Sequence, residues 1–137
     1  MKSNNNNIQY GINKLLIPVM KKSLDDLLVS GIFHDRKIVF YGITEIHNYA
    51  IQYLRKNGIR EYAVIDRNPS IRKGFAENDT RLLYAEDFLS SRDDSFLFMI
   101  GGNHYRRMEK RLIDAGYTVE SNIIRFFDPE NCLFEAR

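Results

Sequence analysis

The hydrophobic positions of this chain follow two different periods. Five short apolar runs, rich in β-branched and aromatic residues, have the pattern of buried strands. They run from Lys37 to Tyr41, Glu61 to Asp66, Leu82 to Tyr84, Phe96 to Ile100, and from Val119 or Ile123 to Phe127. Between them, helical spacing occurs from Ile46 to Leu54, for one turn from Ala85 to Leu89, and from about His104 to Ala115. Strands that alternate with helices predict a three-layer α/β domain, whose parallel sheet, ordered 3-2-1-4-5, has helices on both faces.

The segment before the first strand is different in character. Residues 3–7 are low in complexity and offer nothing to bury, so we expect a disordered start. Residues 8–29 have helical spacing that Pro18 interrupts, which predicts two short helical pieces on the outside of the domain. The chain is therefore divided into a disordered start and helical lead-in, residues 1–36, and an α/β domain, residues 37–137.

Composition and charge narrow the functional classes. The 137 residues suit one domain, and their 44% hydrophobic and 28% charged content is that of an ordinary globular protein. A net charge of +2 does not favour nucleic acid as a partner. No apolar run approaches the ~20 residues of a transmembrane helix, and the single cysteine, Cys132, fits a reducing, cytoplasmic location without membrane partners. The three histidines lack the spacing of metal ligands, so no metal site is expected.

The turn after the first strand carries the main candidate chemistry. In a dinucleotide-binding turn, three glycines make the bend, admit the pyrophosphate and let helix and strand pack closely. Here Gly42 holds the first place, but Thr44 and His47 hold the second and third. Thr44 could cap the helix or donate a hydroxyl to an anion at the helix N-terminus. We therefore expect nicotinamide dinucleotides to bind weakly or not at all.

An acidic residue follows at the distance at which such domains bind a ribose. Asp66 ends the second strand 24 residues after Gly42. Its alternative role is to form the turn before Arg67, because aspartate is a good turn former. If Asp66 binds ribose, Asp66→Asn should weaken a nucleotide and leave stability almost unchanged.

Two further glycines, Gly101 and Gly102, end the fourth strand. Gly101 should lie near Gly42, because the carboxyl ends of parallel strands meet at the edge where such domains bind ligands. After it, Asn103 and His104 indicate a helix cap or a ligand contact. The following helix carries a basic surface that could meet a phosphate or be solvated, formed by Arg106, Arg107, Lys110 and Arg111. The residues assigned to cofactor binding are Gly42, Thr44, Asp66 and Gly101, and no catalytic residue is assigned.

The chain resembles the Rossmann-like modules of bacterial surface-polysaccharide and nucleotide-sugar enzymes. The resemblance covers about residues 37–127 and rests on the run from Lys37 to Gly42 with Glu45 and Ile46, the run from Tyr62 to Pro69, and the step at Gly101–Gly102. The first loop of that group usually reads Gly-Ala-Gly-Glu-Ile-Gly, from which this chain departs at Ile43, Thr44 and His47.

The resemblance implies a domain type rather than one reaction. It implies a nucleotide or nucleotide-sugar binding domain, an accessory part of a carbohydrate-modifying enzyme, in a homo-oligomer or a larger enzyme. The alternative is a degenerate module that has lost its ligand and serves protein association. The missing glycines favour this alternative, whereas Gly42 and Asp66 favour binding. Whether the chain is an enzyme stays open.

Overall fold

A computed structural model describes residues 16–68, 79–102 and 105–128 of the chain. The expectations for residues 3–7 and for Asn103, His104 and Cys132 lie outside these described residues. Within the described ranges, no helix is long and apolar enough to cross a bilayer.

The centre of the fold is a five-stranded, all-parallel sheet with the strand order that the sequence predicts, β3-β2-β1-β4-β5. The strands are β1 (Lys37–Tyr41), β2 (Ala63–Asp66), β3 (Leu82–Tyr84), β4 (Phe96–Gly101) and β5 (Ile123–Phe127). The central strand β1 pairs with β2 on one side and β4 on the other, so the order reverses between β1 and β4. In open parallel sheets, ligands bind in the crevice at such a reversal.

Helices cover both faces of this sheet. They are α1 (Ile17–Ser30), α2 (Glu45–Lys56), α3 (Ala85–Leu89), α4 (Tyr105–Asp114) and α5 (Val119–Asn122). Alternate side chains of each strand point to opposite faces, so β1 contributes to two cores. Phe40 packs with residues of α1 and α2, whereas Tyr41 packs with residues of α3 and α4. The fold is therefore the predicted three-layer, Rossmann-like arrangement.

The helix before the sheet begins at the expected proline. Of the two pieces expected on either side of Pro18, the first falls mostly on residues 8–15, which lie outside the described residues. The second is one helix from Ile17 to Ser30, with the proline in its first turn. A proline there removes an N–H that has no partner within the helix, so it starts the helix instead of breaking it. Gly31, at φ 77°, ends the helix in the left-handed conformation. Met20 and Leu24 are fully buried, which attaches α1 to the core that contains Phe40.

Candidate functional site

A buried imidazole is hydrogen-bonded to both Gly42 and Gly101 at the carboxyl edge of the sheet. His47, in the first turn of α2, places its Nδ1 2.7 Å from the carbonyl oxygen of Gly42. The backbone N–H of Gly101 donates to Nε2 of the same ring over 2.9 Å. Gly42 and Gly101 therefore lie on two sides of one side chain, as close together as the sequence predicts.

These two bonds fix the protonation state of His47. Because Nε2 accepts from the Gly101 amide, the ring proton is on Nδ1 and is donated to Gly42. The ring is fully buried beside Phe40 and Phe126. Burial lowers the pKa of His47 to about 4, although the Gly42 carbonyl and the charge of Asp66 oppose that shift. The imidazole is neutral at physiological pH and acts as a bridge between two backbone groups.

The amide groups of the β1–α2 turn are bonded to the protein's own oxygens. The N–H of Ile43 donates to Oδ2 of Asp66 over 2.8 Å, and the N–H of His47 donates to Oγ1 of Thr44 over 3.1 Å. Thr44 is the N-cap of α2, which was one of its two predicted roles. Two N–H groups of this helix start are therefore already satisfied without a bound anion.

Asp66 accepts hydrogen bonds from two turns, the β1–α2 turn and the turn that follows β2. Its Oδ2 accepts from Ile43, and its Oδ1 accepts from the N–H of Asn68 over 2.9 Å. The second bond is the turn-forming role that the sequence offers as the alternative to ribose binding. Each carboxylate oxygen has two acceptor positions, so one on each stays available to a ligand.

We expect Asp66→Asn to lower the free energy of unfolding by about 1–2 kcal/mol, because a carboxamide oxygen can replace only one of the two acceptors. This cost is larger than the sequence indicates. Urea denaturation measures it, and Asp87→Asn, on the exposed first turn of α3, is the control. A stability equal to that of the unsubstituted protein would contradict the bond between Asp66 and the Ile43 amide.

The space above Gly42, where a pyrophosphate would approach, is covered by a side chain. Gly42 has φ 116°, and a Cβ atom added to it would lie 3.0 Å from Cε of Met108 on α4. The neighbouring Gly102 faces Ile46 of α2, whose Cδ1 would lie 3.5 Å from an added Cβ. Protein atoms therefore fill the close approach that glycines give a dinucleotide.

A cavity opens beside this covered turn, on the face of the sheet that carries α4. Its volume is about 190 Å³, and its walls come from the ends of β1 and β2 and from α4. It is lined by Tyr41, Asp66, Arg67, Arg107, Met108 and Arg111. Three guanidinium groups thus share the cavity with one carboxylate.

These three arginines differ from the others in the described part of the chain. Arg67, Arg107 and Arg111 have no hydrogen bond, ion pair or aromatic-ring contact with another described residue. The others have such a partner: Arg55, Arg60, Arg92 and Arg125 pair with carboxylates, Arg36 donates to three backbone carbonyls, Arg106 donates to the Tyr105 hydroxyl, and Arg81 lies over the ring of Tyr62. Among the described residues, the arginines without a partner are therefore the ones that line the cavity.

The hydroxyl of Tyr41 also lacks a partner. Tyr41 is 4% exposed, and its hydroxyl oxygen is buried without a hydrogen bond among the described residues. An unsatisfied buried polar group costs about 1–3 kcal/mol, so such groups in folded proteins usually meet a ligand or water. Its position on the cavity wall marks the cavity as a place where a ligand can supply that partner.

Other candidate chemistry does not converge within the described ranges. No group of three His, Cys, Asp or Glu side chains there is arranged to hold a metal ion. His34 pairs with Asp35 in an exposed contact of 3.3 Å, and neither residue lines the cavity. Comparisons of the chain with models of known protein families, with curated proteins and with solved structures found no match. The functional argument therefore rests on the geometry of this edge of the sheet.

Proposed function

We propose that this chain is a nucleotide or nucleotide-sugar binding module that holds its ligand in the cavity beside α4. The observation that carries the proposal is that three arginines with no partner among the described residues converge on one cavity at the carboxyl edge of a Rossmann-like sheet. Guanidinium groups bind phosphate through paired, charge-assisted hydrogen bonds. A cavity lined by three of them selects an anion.

The cavity also offers a partner for a sugar. Asp66 lies on the same wall as Arg67, and its remaining acceptor positions can receive ribose hydroxyls. Arg107 and Arg111 are four residues apart on α4, so they lie on one face of that helix and can reach the same phosphate. The cavity is smaller than the ~300–1,000 Å³ of a whole small-molecule site, so it accommodates the ribose–phosphate part of a ligand.

This binding mode differs from that of a dinucleotide on a glycine loop. Thr44 and Asp66 satisfy amides of the turn, and Met108 covers Gly42. The phosphate in our proposal lies on arginine side chains of α4 instead. The resemblance to polysaccharide enzymes supports an accessory role in a carbohydrate-modifying enzyme, and a nucleotide ligand fits a cytoplasmic location.

Calorimetry with the full chain tests the proposal. The ligands are the mono- and diphosphates of the common nucleosides, UDP-glucose and NAD. We expect at least one nucleotide to bind and Arg107→Gln to weaken it by about ten- to a hundredfold, the value of one charge-assisted hydrogen bond. NAD should bind weakly or not at all.

Arg106→Gln is the matched control, because it removes the same charge from the adjacent position of α4, and Arg106 does not line the cavity. If Arg106→Gln and Arg107→Gln weaken the affinity equally, the effect comes from long-range charge, and a specific site is contradicted. NAD binding at roughly micromolar affinity or tighter would show that the glycine turn, and not the cavity, holds phosphate.

The degenerate module is the second candidate, and one specific observation favours it. The bridge of His47 between Gly42 and Gly101 uses protein atoms to close the crevice that other Rossmann-like domains leave for a ligand. Failure of every nucleotide to bind would favour this second candidate, association with another protein, and Arg67, Arg107 and Arg111 would then be candidates for the contact surface.

A further inference from the structure

A second cavity adjoins the first and shares two of its walls. It has a volume of about 320 Å³ and lies between α3 and α4. Tyr41 and Arg111 line both cavities, so these two residues stand at the boundary between them. A ligand in the first cavity can therefore extend past this boundary into the second.

The two cavities offer opposite hydrogen-bonding chemistry. The first presents guanidinium donors, whereas the polar side chains specific to the second are Glu86, Ser90 and Asp114. The Ser90 hydroxyl already donates its proton to the carbonyl of Asp87 over 2.7 Å, so its oxygen is left as an acceptor.

The two carboxylates of the second cavity are also acceptors. Glu86 has no bonded partner among the described residues. Asp114 accepts from Lys110 over 3.1 Å in an exposed pair and keeps other acceptor positions. A group that meets these three side chains therefore brings donors, as the hydroxyls of a sugar or an amine do, while Arg111 stays directed to the phosphate in the proposal.

The geometry points to a two-part ligand, in which a phosphate in the first cavity is joined to a group rich in hydrogen-bond donors in the second. Tyr41 lines both cavities, and its buried hydroxyl, which has no hydrogen bond among the described residues, is assigned as the ligand's partner at the boundary. This inference rests on the proposed function, because it extends the same phosphate site. It adds a second subsite and assigns Glu86, Ser90 and Asp114 to it.

Tyr41→Phe separates a ligand contact from a structural role. Because the hydroxyl has no hydrogen bond within residues 16–68, 79–102 and 105–128, its removal should leave the melting temperature unchanged or raise it. The same variant should weaken the ligand by at least about tenfold, as expected for a lost hydrogen bond to a charged group.

Tyr117→Phe is the matched control. The Tyr117 hydroxyl accepts from the N–H of Asp93 over 3.1 Å, in the same core, and lines neither cavity. It should lower the melting temperature and leave affinity unchanged, which is the opposite result. A Tyr41→Phe variant that is less stable and binds normally would overturn the assignment of Tyr41.

NMR titration of the full chain with three probes that lack a base tests the second subsite. The probes are inorganic phosphate, glucose 1-phosphate and phosphoethanolamine. We expect glucose 1-phosphate or phosphoethanolamine to bind at least about tenfold more tightly than inorganic phosphate, and Asp114→Asn to remove the difference. Tighter binding of glucose 1-phosphate identifies hydroxyls as the donors, and tighter binding of phosphoethanolamine identifies an amine.

The outcomes distinguish this inference from the proposed function. If nucleotides bind through Arg107 but all three probes bind equally, the second subsite is overturned and the proposed function stands. If glucose 1-phosphate or phosphoethanolamine binds through Tyr41 and no nucleotide does, the two cavities stand and the nucleotide is overturned. If neither set binds, both are overturned.

Discussion

Replacing His47 with phenylalanine is expected to lower the free energy of unfolding by about 3 kcal/mol at pH 7, the combined cost of leaving two buried backbone groups without partners. The aromatic ring keeps most of the contacts with Phe40 and Phe126, so loss of packing contributes little. What disappears is the bridge from the Gly42 carbonyl to the Gly101 amide. Urea denaturation at pH 7 gives the difference.

The same variant should lose a specific part of the pH dependence of stability. The pKa of His47 is about 4 in the folded protein, against 6.5 in the unfolded chain, so the unfolded chain binds more protons between these values. Stability is therefore complete above about pH 6.5 and falls as the pH drops towards 4, by about 3 kcal/mol in all. The variant has no imidazole here, and this part of its profile should be flat.

Other titrating groups do not obscure the difference between the pH profiles of the unsubstituted protein and of His47→Phe. A hydrogen bond from Arg60 holds the pKa of Asp79 below 3.8, and the Ser95 amide does the same for Asp93, so both carboxyls titrate below the His47 window. They are present in both proteins, so subtraction of the two profiles removes them. Parallel profiles between pH 6.5 and 4 would show that the His47 ring exchanges protons freely and is not locked between the glycines.

Gly101→Ala should lower the free energy of unfolding by about 3 kcal/mol, at the upper end of the range for overpacked cores. An added Cβ would lie 2.7 Å from Cζ and 2.9 Å from Cε1 of Phe126, which is closer than atoms in folded proteins pack. Phe126 is 3% exposed and packs against Phe40, so its ring has little room to move. Thermal and urea denaturation both measure the loss.

A double-mutant cycle with Phe126→Leu identifies the cause. Leucine removes the ring atoms that the new methyl group would meet, so the double variant should be more stable than the sum of the single losses indicates. Strict additivity would mean that the alanine acts on the backbone of β4 and not on the ring of Phe126.

The order of the sheet was predictable because it depends on local pattern and chain connectivity. Short apolar runs separated by helical segments specify parallel strands and right-handed crossovers, which leave few possible orders. The start of α1 follows from the same kind of local reasoning. A proline is unfavourable inside a helix but fits its first turn, and α1 begins at Ile17, directly before Pro18.

The place of the candidate cavity was predictable, and its lining only in part. Gly42, Asp66 and Gly101 indicate the edge of the sheet at which the cavity lies, and the basic surface of α4 includes Arg107 and Arg111. The convergence of Arg67 with them depends on how α4 packs over the end of β2, which no local pattern specifies. His47 accepts from the amide of Gly101, 54 positions away in the sequence, so spacing alone shows a missing glycine and not the bond that replaces it.

The His47 bridge also constrains how this sequence can change in evolution. A substitution to glycine at this position would restore part of a dinucleotide-binding pattern, but it would first remove the ring that satisfies Gly42 and Gly101. Met108 would still cover the turn, so this single step would reduce stability and gain no ligand. A single-step route between the two kinds of loop therefore passes through a less stable protein that has gained no ligand, so the ring of His47 holds this loop in its present form.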